Sequence, residues 1–295
     1  MCTPQNDADY RYMKTLPKII VLSGYGLNCE QETAYAFNLA GGQADIVHIN
    51  GLIDRPNLLK RYQILAVPGG FSYGDDLGSG KAYANKLNNH LKKYLLEFAA
   101  KDKLIIGICN GFQILTNLGL LPGVLTFNDN NRYTDRWVDI KINTPTPPPP
   151  SRGRTKQFPS LEGRGQGRVI SPWLSGISRL SLPIAHGEGK FMASDETFKS
   201  IKKQKMIGGV YYKGEMCNYQ NLIPNPNGST LDIAMLTSAN GKILGTMPHP
   251  ERAMFFTQLP NWPLIKEKLI RAGRPLPKFG PGLQIFKNAI NYFSA

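Results

Sequence analysis

The sequence predicts an α/β fold, a mainly parallel sheet with helices on both faces, and three observations predict it. Several short runs are apolar without alternation, which suits strands covered on both sides rather than on one. Stretches of helical periodicity separate these runs. Each run also ends at glycine, proline or another small residue, as a buried strand must when it reaches the sheet edge.

The elements follow in order. Ile19-Ile20-Val21-Leu22 runs into Ser23-Gly24 and reads as the first strand. A helical pattern covers about Glu30 to Ala40, and Ala44 to His48 alternates like a strand. Ile64-Leu65-Ala66-Val67 before Pro68-Gly69-Gly70 is a second buried strand, and Lys81 to Ala100 is a long helix carrying His90 on a polar face. Leu104 to Ile108 is a third, ending at Cys109. After Ile142 the pattern gives way to Thr-Pro-Thr-Pro-Pro-Pro-Pro and a Gly/Arg-rich stretch, with too little apolar surface to offset ordering entropy. It reads as a tolerated surface insertion at about 144–170, although a proline-rich ligand for a partner would have the same composition. Structure is expected to resume at Ser171-Pro172-Trp173, and Leu283, Phe286, Ala289, Ile290 and Phe293 mark an amphipathic C-terminal helix. The expected organisation is an N-terminal extension, 1–16, and a single domain, 17–295, interrupted by the insertion.

With 295 residues, 41% of them hydrophobic, the chain can bury one large core or two modest ones. No run approaches the ~18 apolar residues of a membrane-spanning helix, and the first sixteen residues, with Asp7, Asp9, Arg11 and Lys14, do not resemble a secretory signal. The expectation is a soluble cytoplasmic protein. The four cysteines, Cys2, Cys29, Cys109 and Cys217, lack Cys-x-x-Cys spacing, so neither a disulfide scaffold nor a metal site is expected. Cys2, Cys29 and Cys217 read as small buried hydrophobes. The net charge of +14 invites a nucleic-acid reading, but much of the excess sits in Arg152–Arg168 and Lys199–Lys205, without aromatic-basic interleaving. Neither nucleic acid nor membrane is expected as a partner.

The sharpest local signal is Gly107-Ile108-Cys109-Asn110-Gly111, between an apolar strand and Phe112-Gln113-Ile114-Leu115. This is a nucleophile-elbow layout with cysteine as the nucleophile. The turn places the sulfur at a helix N-terminus, which favours the thiolate, and aims the Asn110 amide at a developing oxyanion. A thiolate needs a proton shuttle. His48 and His90 read as structural or solvated, leaving His186 in Ala-His-Gly-Glu-Gly and His249 in Met-Pro-His-Pro-Glu-Arg. Each has a glutamate two residues on, Glu188 and Glu251. The prolines flanking His249 enforce extended chain, in which residues i and i+2 share a side, so Glu251 can orient the ring. The glycines around His186 suit a loop that shapes a pocket with Glu188. The order Cys, His, Glu also differs from the nucleophile, acid, histidine order of α/β-hydrolases.

Cys109 with Gly111 and Gln113, followed much later by His249-x-Glu251, resembles the class I (triad) glutamine amidotransferases. Within that class, five stretches resemble the family of glutaminase components of phosphoribosylformylglycinamidine synthases, which act in purine biosynthesis. These are Gly26 to Glu32, Pro68 to Asp75, Arg132 to Val138, Ala185 to Gly189 and Met247 to Ala253. The resemblance implies a flavodoxin-like domain in which Cys109 attacks the side-chain carbonyl of glutamine. It further implies that Gly70 and Asn110 amides form the oxyanion hole, His249 moves the proton and Gln113, one helical turn beyond Cys109, contacts the glutamine. The ammonia would pass to a synthetase subunit, with a small bridging subunit as a further possible partner. No cofactor is expected in this chain, since ATP and Mg would belong to the synthetase. A non-catalytic binding module and a redox protein with an elbow cysteine are the rival readings.

Overall fold

The computed structural model describes residues 16–143 and 171–294. The N-terminal extension, apart from Leu16, and the insertion at about 144–170 lie outside the described residues.

The chain runs β1 (Lys18–Ser23), α1 (Glu30–Leu39), β2 (Gln43–His48), α2 (Ile49–Asp54), β3 (Ile64–Val67), α3 (Lys81–Ala100), β4 (Leu104–Ile108), α4 (Asn110–Asn117), β5 (Val124–Thr126) and β6 (Thr134–Ile142). Beyond the insertion follow β7 (Arg179–His186), β8 (Lys190–Met192), α5 (Asp195–Lys203), β9 (Ile207–Tyr211), α6 (Glu215–Gln220), β10 (Ile233–Thr237), β11 (Ile243–Thr246), α7 (Trp262–Arg271) and α8 (Leu283–Ser294). The three apolar runs and the amphipathic C-terminal segment singled out above all form elements, β1, β3, β4 and α8, and Trp173 at the resumption point is fully buried.

Nine strands form one sheet in the order β2-β1-β3-β4-β11-β10-β9-β6-β7, with β5 and β8 paired separately. The first five are mutually parallel. The remaining four join antiparallel, each to the next. The sheet is therefore mixed, with a parallel half that the apolar runs announced and an antiparallel half that they did not. The central parallel strands β3 and β4 are buried at every residue, whereas β2, at the sheet edge, is exposed or half-buried throughout. Strands β6 and β7 bury only part of their residues. Right-handed crossovers place α1 and α3 on opposite faces, because β2 lies on one side of β1 and β3 on the other. Accordingly α1 packs with α8, and α3 with α4. Across one such contact Phe37 meets Phe286 edge-on at 4.9 Å. The buried apolar residues form one continuous cluster.

Strand order reverses at β1, and in open α/β sheets ligands bind outside the carboxyl ends of the strands at such a switch point. The loops after β1, β3, β4 and β11 leave from this one edge, and they carry Cys29, Gly69, Cys109 and His249 respectively.

Candidate active site

Cys109 caps the N-terminus of α4 with φ 52° and ψ −108°, a conformation that a side-chain-bearing residue rarely adopts. It is held there by its own amide, which donates to the Thr246 carbonyl of β11 at 2.7 Å. The elbow glycines are dictated by space. A Cβ on Gly111 would overlap the Val67 carbonyl of β3, and one on Gly107 would meet the Gly111 carbonyl at 2.5 Å. The Cys109 thiol is buried and lies 3.6 Å from the carbonyl of Ala185, at the end of β7.

His249 is also buried, with φ −98° and ψ 93°, the extended form expected of its flanking prolines. Its amide donates to Pro183 of β7 at 2.8 Å, which ties the loop to the neighbouring strand. Nδ1 lies 2.5 Å from Oε1 of Glu251, itself buried. The route to this pairing differs from the one expected: Glu251 sits in a single 3-10 turn, Pro250–Arg252, rather than in extended chain. Burial alone would disfavour a charged imidazole. The carboxylate of Glu251 and the negative charge of Cys109 outweigh it and raise the His249 pKa well above the ordinary value. The arrangement can therefore hold a proton on His249 beside the Cys109 side chain.

Gly69 is where these groups converge. A Cβ there would stand 2.8 Å from Cε1 of His249, 3.3 Å from Sγ of Cys29 and 3.5 Å from Cβ of Cys109. Gly70 forms an isolated bridge with Leu27 whose two hydrogen bonds are donated by Phe71 and Asn28, so its own amide lies outside that ladder. Asn110 and Gln113 are buried and joined to two loops. The Asn110 side chain accepts from the Ser72 amide at 3.2 Å and donates to Asp75 at 3.2 Å and to Gln113 Oε1 at 2.8 Å. Gln113 Nε2 donates to the Glu188 carbonyl at 2.6 Å, and the Glu188 carboxylate accepts from the Ser79 amide at 3.3 Å. Both ends of the Gln113 amide are thus engaged inside the protein. It fastens the 71–80 loop and the Glu188 loop to α4. Burial, together with neighbouring Glu188, raises the pKa of Asp75.

His186, the rival shuttle, ends β7 and is buried. Its Nδ1 lies 3.1 Å from Oδ1 of Asn128, an oxygen that also accepts from the Gly189 amide at 3.0 Å. Nδ1 is therefore the protonated nitrogen. Burial, with repulsion from His249, lowers its pKa to about 3, so it is neutral at physiological pH. Among the described residues no carboxylate is hydrogen-bonded to its ring. Its ring fills the space over Gly189, whose Cβ it would exclude.

Three contributors were not legible beforehand. Cys29 is buried as expected, but it is no inert hydrophobe: Nη2 of Arg252 donates to its sulfur at 3.0 Å, and it interacts with the His249 ring. Asn128 orients His186, and Gly69 gives the triad its room. Cys29, Gly69 and Arg252 did fall in stretches that carried the family resemblance, which was the only available signal. Elsewhere, a shallow depression of about 420 Å³ bounded by Gln31, Tyr35, Asn38 and Asp45 holds none of these groups. Among the described residues no helix is long and apolar enough to cross a membrane.

Comparison with known proteins agrees with this geometry. Residues 16–166 and 166–293 match the CobB/CobQ-like glutamine amidotransferase domain. The phosphoribosylformylglycinamidine synthase subunit PurQ of Methanococcus maripaludis (strain C7) is 43% identical over 294 residues, covering 96% of this chain and 99% of its own. The PurQ subunit of Dehalococcoides mccartyi is 38% identical over 284 residues, covering 93% and 97%. Among solved structures, PurLQS from Thermotoga maritima superposes with a TM-score of 0.60 at 26% identity, covering 94% of this chain and 99% of that one.

Proposed function

The chain belongs to the CobB/CobQ-like glutamine amidotransferase family, and from that premise we infer that it is the glutaminase subunit of a phosphoribosylformylglycinamidine synthase. It hydrolyses glutamine and delivers ammonia to a synthetase subunit, which converts formylglycinamide ribonucleotide to formylglycinamidine ribonucleotide in purine biosynthesis. ATP and Mg belong to that subunit, a small bridging subunit completes the assembly, and the complex works in the cytoplasm.

The observation that carries this reading is a strained elbow cysteine at the sheet edge, on the loop beside a buried histidine with its carboxylate at 2.5 Å. In the first half-reaction the Cys109 sulfur attacks the side-chain carbonyl of glutamine and a C–S bond forms. Amides of Gly70 and Asn110 receive the oxyanion. His249 gives its proton to the departing nitrogen as the C–N bond breaks, and ammonia leaves. In the second, His249 takes a proton from water, whose oxygen attacks the thioester. Glutamate is released, and the proton returns to the Cys109–His249 pair. Glu251 keeps Nδ1 protonated so that Nε2 faces the reaction.

The test is labelling with 6-diazo-5-oxonorleucine, a glutamine-mimicking electrophile. A glutaminase is alkylated at Cys109 and protected by glutamine, whereas a binding module or a redox protein is not. Modification elsewhere, or modification that glutamine leaves unaffected, refutes the assignment.

A further inference from the structure

Besides Cys109, three side-chain-bearing residues on the loops after β1 and β3 stand in the left-handed region, and none of them carries the chemistry just described. Tyr25 has φ 53°, Tyr73 φ 56° and Asp75 φ 57°. Such angles cost free energy in any residue with a Cβ, and a fold keeps them only where its surroundings enforce them. Burial is not the enforcing factor at Tyr25, which is 38% exposed. Its ring instead stacks on that of Tyr73, with centroids 4.8 Å apart and 11° between the planes. We propose that this stack aims the Gly70 amide, which makes Tyr25 and Tyr73 positioning residues for the oxyanion step; the proposal rests on the glutaminase reading above.

The two loops grip Gly70 between them. The Phe71 amide donates to the Gly26 carbonyl at 2.8 Å, the Tyr73 amide to the Tyr25 carbonyl at 2.7 Å and the Asn28 amide to the Gly69 carbonyl at 3.1 Å. Gly70 itself has φ 152°, and a Cβ on it would overlap the Gly26 carbonyl and crowd Leu27 Cα at 2.7 Å. The direction of its amide therefore follows the chain from Gly24 to Asn28. Asn110 holds Ser72 and Asp75 from the inner side. On the outer side the tyrosine stack closes the same ladder, and α3 secures it through Lys86. Its Nζ lies 4.5 Å from the centre of the Tyr25 ring and donates to the Tyr25 hydroxyl at 3.2 Å, which Asn50 Nδ2 also meets at 2.9 Å. An amide clamped in this way is aimed before the carbonyl of the substrate acquires charge. Preorganised donors of that kind lower the barrier rather than tighten ground-state binding.

Glutamine hydrolysis is measured with the synthetase subunit present, for the wild-type chain, Tyr25→Ala, Tyr73→Ala, the double alanine variant and Tyr73→Phe. Each alanine variant should lower kcat about tenfold with KM within about twofold, since a misaimed donor costs less than the roughly 10²–10³-fold of a deleted one. The double variant should lose little more than either single one, because the same stack is broken in all three. Tyr73→Phe keeps the stack and should return to within about twofold of wild type. In parallel, Cys109 is thiomethylated with methyl methanethiosulfonate, followed by mass spectrometry of its peptide. There sulfur attacks sulfur and methanesulfinate leaves without an oxyanion, so every variant should react at the wild-type rate. Slowed thiomethylation, or a change in KM in place of kcat, makes the stack a general support of the site and overturns the proposal. Unchanged kcat in a folded alanine variant also overturns it, as does a Tyr73→Phe variant as slow as Tyr73→Ala. Tyr73→Leu replaces Tyr73→Ala if circular dichroism shows that alanine unfolds the chain; if neither folds, the stack is a folding element and the proposal falls. A wild-type chain that hydrolyses no glutamine removes the glutaminase reading and this one with it, whereas an active wild type beside unaffected variants removes this one alone.

Discussion

Substituting Gly69 with alanine tests how tightly the triad is packed. The added Cβ would lie 2.8 Å from Cε1 of His249. Carbon atoms rest at about 3.5–4.0 Å, so the ring must retreat by roughly 0.7 Å or more. It has little freedom to do so: the ring is buried, its amide is tied to Pro183 and Nδ1 is held by Glu251. The same Cβ would press on Cys29 Sγ from 3.3 Å, which closes the sideways escape. Overpacking of this kind destabilises by about 1–3 kcal/mol. A displacement approaching 1 Å at reacting groups lowers turnover by about 10²-fold. Gly69→Ala should therefore fold with a lowered melting temperature and lose between about ten- and a hundredfold in kcat for glutamine hydrolysis, measured with the synthetase subunit present. Gly51→Ala, where added atoms meet open space, is the control and should be indistinguishable in rate. If Gly69→Ala folds and retains turnover within about threefold of wild type, the convergence of His249, Cys29 and Cys109 on Gly69 has no mechanistic weight.

Cys109→Ser should abolish glutamine hydrolysis while preserving the fold, since a hydroxyl cannot replace a thiolate here; turnover within about tenfold of wild type would exclude it as nucleophile. His249→Ala should lower kcat far more than it changes KM, Glu251→Gln should be milder, and His186→Ala should act mainly on KM; steady-state kinetics showing the two histidines reversed would transfer the shuttle to His186. The buried, neutral His186 also has an acid signature. The unfolded chain binds a proton below about pH 6.5 that the folded chain refuses until about pH 3, so stability falls as pH drops through that window. At pH 4.5 this amounts to at most about 3 kcal/mol, and His186→Asn should flatten the fall in urea midpoint between pH 7 and 4.5; an unaltered slope would count against it. Finally, deleting 145–167 behind a short Gly/Ser linker should leave glutaminase activity near wild type. A well-folded deletion variant that no longer supports the synthetase reaction would instead make the stretch a docking element.

How much could be read in advance depended on how local the signal was. Strands β1, β3 and β4 were legible because burial on both faces writes an unbroken apolar run. Strands β6, β7 and β9 were not: β6 interrupts its apolar residues with Asp135, Arg136 and Asp139, and β9 contains two adjacent glycines. Asp139 shows why such a strand misleads. It is fully buried, but its carboxylate accepts from the Ser181 hydroxyl at 2.8 Å and the Cys217 amide at 2.9 Å, partners that no window of sequence displays. In the site, Cys109 with its glycines and His249 with Glu251 are each written within five residues. The contact between Arg252 and Cys29 spans 223 positions, and the clearance that Gly69 provides depends on three loops meeting.

The backbone at Cys109 has an evolutionary consequence. A φ of 52° with ψ −108° is a state that a residue with a side chain enters at a cost of about 1–3 kcal/mol, and the fold sustains it by clamping the turn between Thr246 and the close approach of Gly111 to β3. Mutational drift toward greater stability therefore runs, at this position, against activity: glycine would relieve the strain and erase the nucleophile in one step. A lineage released from selection for ammonia production would be expected to lose this cysteine early, keeping the sheet and its neighbours intact. The residue at position 109 thus serves as a gauge of whether a homologue with this scaffold is still an enzyme.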